Sequence, residues 1–378
     1  MSSTSLVQTS RVESLLRTVA SGAVTLQRDK VTWRVPIAAA AMTALTVSIF
    51  IALGWADKAI PVALGALFMP LSGLFEEPAR RLRTQLWTLS WMMLTTLIGG
   101  LLSGTAFVQV WVAVAVSAIV AFCCGFAGGA GINARVGGVL ALVLFAVFLG
   151  MPVPRHSAVQ DCLLVGLGGL IVIGWLVMLR IVMHRHKSWG AAPVHPNVLA
   201  RLRPRLNTRD DYFRHGIRLA GAFSTATALA ALLKWPHQYW IPMTVAWVVV
   251  PDINGTATRV AARVLGTLMG IAVITIVVEG AHPGPYAIAI IVGIGALIAE
   301  MFVVALYLIC VVGVTIFMIA LFTLVGDPVG STIAYRAIST ILAGIITIAW
   351  SLVWPSVAHE RRHRFRHRHL PPTPDSPA

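Results

Sequence analysis

The feature that most constrains the fold of this 378-residue chain is that its two halves repeat one pattern. Each half contains a tryptophan followed by two prolines that are nine residues apart. These residues are Trp55, Pro61 and Pro70 in the first half and Trp235, Pro242 and Pro251 in the second. A few short insertions are enough to superpose residues 31–182 on residues 212–356. The sequence therefore predicts a duplicated unit.

The composition indicates the environment of this unit. Hydrophobic residues make up 57% of the chain, charged residues make up only 11%, and the mean hydropathy is +0.83. A water-soluble protein of this size cannot hide so much apolar surface in its core. The sequence therefore predicts an integral membrane protein whose solvent is the lipid bilayer.

Apolar stretches of the length that crosses a bilayer, roughly 20 residues, occur about six times in each half. They cover residues 35–54, 59–75, 84–103, 106–128, 133–150 and 158–181, and then residues 213–233, 238–252, 260–279, 285–299, 301–325 and 332–355. Because six is an even number, both copies have the same orientation in the membrane. We predict an all-α fold of about twelve transmembrane helices, arranged as two parallel six-helix repeats that form a pseudo-dimer.

The distribution of basic residues predicts the orientation. With the N-terminus in the cytoplasm, 25 of the 29 lysines and arginines lie inside, and those outside are Lys58, Arg155, Lys234 and Arg336. This bias follows the positive-inside rule, so we predict a multi-pass protein of the inner or plasma membrane with both termini cytoplasmic. Contact with the anionic inner leaflet of the lipid bilayer then explains the net charge of +15. Nucleic acid is not expected as a partner.

Three basic segments accompany the repeats at 31–182 and 212–356. We predict a cytoplasmic amphipathic segment at residues 1–30, a linker at 183–211 and a His- and Arg-rich tail at 357–378. The four cysteines fall in apolar spans, and no His, Cys and carboxylate cluster has the spacing of a metal site or of a nucleophile with its base. We therefore expect neither an enzyme nor a metal or other cofactor.

The eighth span is the most informative one. It covers only residues 238–252, about 22 Å of helix, whereas the hydrocarbon core is about 30 Å thick. A polar turn with Asn254 follows, and then Arg259 and Arg263 on one helix face. Short spans and arginines at membrane depth are typical of transport sites; alternatively, both arginines snorkel at the membrane edge. Because the first copy has a full-length third span from Thr84, the second copy is predicted to be the working one.

Four other charged residues are candidates for function. Arg336 and Asp161 occupy corresponding positions in the last span of each copy. They could pair across the two-fold axis, line an outer vestibule, or each reach water near the membrane edge. Glu300, which is expected between the tenth and eleventh spans, and Asp252 could each carry a proton or belong to a polar turn.

This region also resembles a known protein family. The residues that carry the resemblance are Tyr239-Trp240-Ile241-Pro242, Val248-Val249-Val250-Pro251, the run from Arg259 to Gly270, and Arg336 with Gly344. They resemble the signature of the fusaric acid resistance (FUSC) or aromatic acid exporter family. The resemblance implies an inner-membrane, proton-driven exporter of aromatic or other organic carboxylates. The same resemblance extends to plant malate channels, which pair two six-span units around a central anion path, and it therefore implies this arrangement for the two repeats.

The favoured hypothesis is secondary efflux of small organic anions, since the guanidinium group matches the two oxygens of a carboxylate. The predicted substrate-binding residues are Arg259, Arg263, Arg336, Asn254, Tyr239 and Trp240, and the candidate proton carriers are Asp252, Glu300 and Asp161. Tyr239 and Trp240 could instead form an aromatic belt at the membrane surface. A passive organic-anion channel is the alternative function, and a membrane-bound lipid-modifying enzyme has less support. A periplasmic adaptor or a homo-oligomer is a further candidate partner.

Overall fold

The computed structural model describes residues 21–104, 106–151, 155–183, 198–326 and 329–353, and within these residues it contains no strand. Twelve helices of nine residues or more are labelled α1 to α12 in chain order. They are α1 Arg34–Ala52, α2 Ala59–Leu71, α3 Pro78–Leu102, α4 Phe107–Ala127, α5 Ile132–Gly150, α6 Ala158–Met183, α7 Asp211–Leu233, α8 Trp240–Val248, α9 Ile253–Ala281, α10 Pro285–Phe302, α11 Tyr307–Leu324 and α12 Val329–Val353. The chain is therefore all-α throughout the described part.

The basic segments are described only in part. Most of the predicted N-terminal segment, about half of the linker and the whole tail lie outside the described residues. Residues 21–30 pack against the second half of the chain, where the amide of Gln27 donates to the carbonyl oxygen of Ala305 at 3.0 Å. The end of the linker contains one short helix, Val198–Leu202.

Ten of the described helices are long and apolar enough to cross a membrane. The expected twelve crossings are not confirmed, because α2 and α8 have only 13 and 9 residues and so measure about 20 and 14 Å. Every residue of both helices is buried. The end of α8 has a local cause, because Val250 precedes Pro251 and the residue before a proline avoids helical geometry.

Two boundaries differ from the sequence-based expectation. Helix α9 begins at Ile253 rather than near residue 260, because the side chain of Asp252 caps it by accepting from the amides of Asn254 and Gly255. Helix α10 continues to Phe302, so Glu300 lies inside a helix and not between two spans.

Helices α1–α6 and α7–α12 show matching contacts. Within the first set, α1 contacts α2 and α6, α2 contacts α6, α3 contacts α5 and α6, and α4 contacts α5; each contact recurs in the second set between the helices numbered six higher. The sets meet through α4 with α7 and through α10 with α1. Reciprocal contacts of this kind are what a two-fold axis between two like units produces.

Glycines hold α9 close to α11. A Cβ atom on Gly266 would lie 2.5 Å from the carbonyl oxygen of Leu308, and one on Gly270 would lie 2.7 Å from the Cβ of Thr315. Only glycine permits this approach, as in other closely packed membrane helices. The contact fixes the position of Arg263, which lies one turn before Gly266 on α9.

Candidate functional site

The short helix α8 forms the floor of the candidate site. Trp240 and Trp247 are seven residues apart, so their side chains project from nearly the same face, about 10 Å apart along the helix axis. Helices α5, α7 and α12 contact α8, and they cover it so completely that Trp240 is 0% and Trp247 is 6% exposed. A large aromatic surface is thus enclosed in the protein and does not face lipid.

Arg336 lies at the Trp240 end. Its Cζ atom is 5.1 Å from the centroid of the Trp240 ring, within the range of a cation–π interaction. The Arg336 side chain is completely buried, and all three guanidinium nitrogens lack a hydrogen-bond partner in the described part of the chain. The side chain therefore does not reach water at the membrane edge.

Arg263 and Arg259 lie at the Trp247 end. The Cζ of Arg263 is 6.0 Å from the Trp247 ring, and that of Arg259 is 4.9 Å from the ring of Tyr307. Arg259 also donates through Nη1 to the carbonyl oxygen of Trp247 at 3.2 Å. Arg263 is 1% exposed, and its Nε and Nη2 find no partner among the described residues. Burial of this degree is incompatible with a snorkelling position for Arg263.

An aromatic cluster surrounds the Trp240 end. The ring of His237 stacks on Trp240 with 4.6 Å between centroids, and both rings lie within about 6 Å of Phe322. Tyr239 is 2% exposed and packs in the same cluster. A cavity of about 50 Å³ lies beside Tyr239, against Gly150 of α5. Tyr239 and Trp240 are thus interior residues, whereas an aromatic belt would face lipid.

The site is strongly electropositive. The charges of Arg263 and Arg336 act on each other, and no acidic side chain in the described ranges forms an ion pair with either one. Three buried threonines that also lack partners in this part of the chain are Thr244, Thr267 and Thr315. Burying an unpaired charge is costly. Buried guanidinium groups without partners are suited to binding a small anion.

The predicted acidic residues lie apart from the two arginines. Glu300 is 3% exposed, and neither of its carboxylate oxygens has a partner in the described chain. It borders a separate cavity of about 340 Å³ with Lys30 and Phe75. Asp252 caps α9, and Asp161 accepts from Ser157 at 3.4 Å and does not pair with Arg336. The structure therefore groups the cations but not the acids.

Asn254 is also not brought into the site. It is exposed, and it lies nine residues before Arg263 on α9, which places the two side chains on opposite faces of the helix. Sequence reasoning missed His237, Trp247, Tyr307 and Phe322. Trp247 had a usable signal, since its seven-residue spacing from Trp240 predicts one shared face. His237 is close to Trp240 in the sequence but had no distinguishing signal, and only the fold brings Tyr307 and Phe322 of α11 to the site.

No group of three or more His, Cys, Asp or Glu side chains that could hold a metal ion occurs among the residues with described positions.

Comparison with known proteins identifies the second half of the chain. Residues 225–350, one third of the chain, match the family described as fusaric acid resistance protein-like. This range contains Tyr239, Trp240, Arg259, Arg263 and Arg336 and confirms the resemblance inferred from the sequence. No solved structure shows a significant match to the chain.

Three curated proteins show partial similarity. The inner membrane protein YccS of Escherichia coli K12 is 30% identical over 146 residues, which cover 38% of this chain and 20% of that protein. The uncharacterized protein ORF2 of Neisseria gonorrhoeae is 34% identical over 77 residues, which cover 20% of this chain and 18% of that protein. The uncharacterized protein slr1298 of Synechocystis is 35% identical over 66 residues, or 18% of this chain and 9% of that protein. The aligned regions thus span a fifth or less of each relative.

The family match and the ten apolar helices agree with each other. A chain with this many helices of membrane-crossing length must contact the lipid bilayer over much of its surface. The chain is therefore a multi-pass membrane protein whose residues 225–350 are similar to the fusaric acid resistance protein-like family.

Proposed function

We propose that the protein transports small organic carboxylates across the membrane along the Trp240–Trp247 face of α8. Arg336 and Arg263 bind the carboxylate at the two ends of this face, and Arg259 and Tyr307 complete the Trp247 end. The rings of Trp240 and Tyr239 contact the organic part of the substrate, and aromatic acids fit this surface best. The direction is efflux, driven by the proton gradient, as the family resemblance implies.

The observation that carries this proposal is the state of Arg336. An arginine with no exposed surface and three unpartnered nitrogens is a large cost to the fold, and ionisable groups of this kind inside membrane proteins serve ion or substrate pathways. Arg263 repeats the arrangement about 10 Å away along α8. Two such positions in series favour a path over a single binding pocket.

The proposal includes the architecture. We propose that residues 31–182 and 212–356 are parallel repeats, with the N-terminus and C-terminus in the cytoplasm of a cell whose inner membrane holds the protein. The matching contacts of α1–α6 and α7–α12 support the repeats. The positive-inside bias supports the orientation, and the similarity to an inner membrane protein supports the location. An adaptor or a second copy of the chain remains a candidate partner.

A passive anion channel is the second candidate function. The observation that favours it is the separation of Glu300, Asp252 and Asp161 from the arginines, because coupled transport needs a proton carrier that senses the substrate site. If transport is coupled, Glu300 is the candidate carrier, since it is the buried acid of the three. Voltage-dependent flux that ignores a pH gradient is the property that would identify a channel.

The test is flux of radiolabelled benzoate in proteoliposomes that contain the purified full-length protein. Arg336→Gln should lower the flux at least tenfold, since a hydrogen bond to a charged ligand contributes about 1.5–3 kcal/mol. Arg34→Gln, at an exposed position on α1, is the control and should leave flux unchanged. Glu300→Gln should abolish the response to a pH gradient while downhill flux persists. Equal flux in the wild type and Arg336→Gln would refute the proposed site.

A further inference from the structure

A second group of basic side chains, three arginines and a buried histidine, lies near the carboxyl-terminal end of α8. It consists of Arg135 near the start of α5, His215 and Arg218 on the first turns of α7, and Arg259 on α9. Only Arg259 belongs to the site described above. Three helices from both halves of the chain therefore contribute to one cationic cluster, which we call the α5–α7 cluster.

Short contacts define how the cluster is assembled. A Cβ atom on Gly128 would lie 3.1 Å from the Tyr212 ring and 3.3 Å from the Cγ of Arg135, so Arg135 and Tyr212 lie side by side. Tyr212, His215 and Arg218 are each three residues apart and share one face of α7. Arg135 therefore lies next to the α7 face that carries His215 and Arg218.

The end of α8 and the turn that follows it anchor two of the arginines. Arg218 donates through Nη2 to the carbonyl oxygen of Pro251 at 2.6 Å, and Arg259 donates through Nη1 to that of Trp247 at 3.2 Å. Carbonyl groups at a helix end bind cations well. These bonds use one nitrogen of each guanidinium and leave the rest of each group for another partner.

The remaining polar atoms are buried and without partners. Arg218 is 1% and His215 is 3% exposed, and the Nε and Nη1 of Arg218 and the Nδ1 of His215 make no hydrogen bond within the described residues. The charges of Arg218 and Arg135 both act on His215, and that of Arg259 acts on Arg135. Positive groups held this close together stabilise an anion between them.

Two acidic residues near the cluster offset only part of this charge. Asp211 and Asp252 both act on Arg218, but so does a further arginine, Arg214. Asp252 is exposed, and its carboxylate already accepts from two amides at the start of α9. The cluster therefore keeps an excess of positive charge.

We propose that Arg135, His215 and Arg218 form a second anion site that binds a phosphate oxyanion, either free phosphate or the phosphodiester of a lipid head group. A guanidinium pair with an adjacent imidazole supplies several donors to the oxygens of such a group. The site is separate from Arg336 and Arg263, and its occupation does not depend on transport. It joins the first half of the chain, through Arg135, to the second half.

The test uses the full-length protein in nanodiscs of phosphatidylcholine and a titration with inorganic phosphate at constant ionic strength, followed by thermal unfolding. Phosphate should raise the midpoint of unfolding saturably, and Arg135→Gln should weaken the apparent affinity at least tenfold. Arg135 is only partly buried, so this variant is expected to fold. Arg34→Gln is the surface control, and Arg336→Gln should retain phosphate binding even though it loses flux.

A second arm separates the two sources of phosphate. In nanodiscs that contain phosphatidylglycerol, a head group in the site would abolish the response to free phosphate. The lipid should then co-purify with the wild type and be lost from Arg135→Gln, as measured by native mass spectrometry. The proposal would be overturned if the wild type and Arg135→Gln did not differ in phosphate binding or in lipid retention.

Discussion

The two short helices α2 and α8 share a position but not a chemistry. Aligned on Pro61 and Pro242, the residues of α8 that carry rings and a hydroxyl have alanine counterparts in α2. The pairs are Ala59 with Trp240, Ala63 with Thr244, and Ala66 with Trp247. Both helices are fully buried. The same local fold thus presents an apolar surface in one half and an aromatic, polar surface in the other.

The surroundings of the two helices differ in the same sense. A Cβ atom on Gly168 of α6 would lie 1.9 Å from the carbonyl oxygen of Val62, so the backbones of α2 and α6 are in direct contact. The corresponding helix against α8 is α12, which contributes Arg336. In the described residues, every buried charged side chain and the buried histidine lie in the second half: His215, Arg218, Arg263, Glu300 and Arg336. We therefore propose that the first half is mainly a scaffold and that the second half carries most of the chemistry.

The largest expected effect comes from removing Arg263 and Arg336, the two buried arginines of the candidate site, together. The double variant Arg263→Gln, Arg336→Gln should lower benzoate flux in proteoliposomes more than 100-fold, equivalent to about 3 kcal/mol. The matched change in the first half is Gln85→Met, which removes a buried amide that donates to the carbonyl oxygen of Met69 at 3.1 Å. The benzoate flux per folded molecule of Gln85→Met should equal that of the wild type. An equal loss of flux in Gln85→Met and in the double variant would show that the two halves do not differ in function.

The next largest effect is on stability and comes from the close backbone contact between α6 and α2. Gly168→Ala should destabilise the protein by about 1–3 kcal/mol, because a methyl group would overlap the backbone at Val62. Gly174→Ala on the same helix has no atom within 4 Å of its new methyl group and should be neutral or stabilise by up to about 1 kcal/mol. Thermal unfolding in detergent measures both. Equal unfolding midpoints for Gly168→Ala and Gly174→Ala would show that the backbones of α2 and α6 are not in close contact.

The smallest effect is on the free energy of unfolding, which should change in opposite directions when Arg336 and Gln85 are each replaced by Met. Arg336→Met should raise the free energy of unfolding by about 1 kcal/mol in buffer without carboxylates, because it replaces an unpaired buried charge with an apolar chain. Gln85→Met should lower it by about 1 kcal/mol, since a buried carbonyl loses its donor. A destabilised Arg336→Met would mean that the arginine supports the fold more than it serves a ligand.

Much of the fold follows from the sequence because apolar length and proline position are local signals. The start of α6 at Ala158 and the end of α7 at Leu233 coincide with the predicted ends of those spans. The start of α9 was missed because the capping side chain of Asp252 recruits seven extra residues into the helix. The same polar residues are compatible with a turn or with the capped first turn of a helix, and the sequence alone does not distinguish the two.

The site was predictable only in part. Arg263 and Arg336 were identified because arginine at membrane depth is rare, and the prediction of their role stands as a proposal. Burial of Tyr239 and Trp240 could not be inferred, since an interfacial belt and an interior cluster have the same composition. Phe322 contacts these rings through tertiary packing between α8 and the end of α11, which leaves no pattern in the sequence.

The seven-residue interval between Trp240 and Trp247 limits how strongly voltage can drive an anion along α8. An interval of about 10 Å is at most a third of a hydrocarbon core about 30 Å thick. A full crossing at 100 mV is worth about 2.3 kcal/mol for one charge, so a single hop between the two rings gains at most about 0.8 kcal/mol. The electric field alone therefore biases such a hop by less than about fourfold.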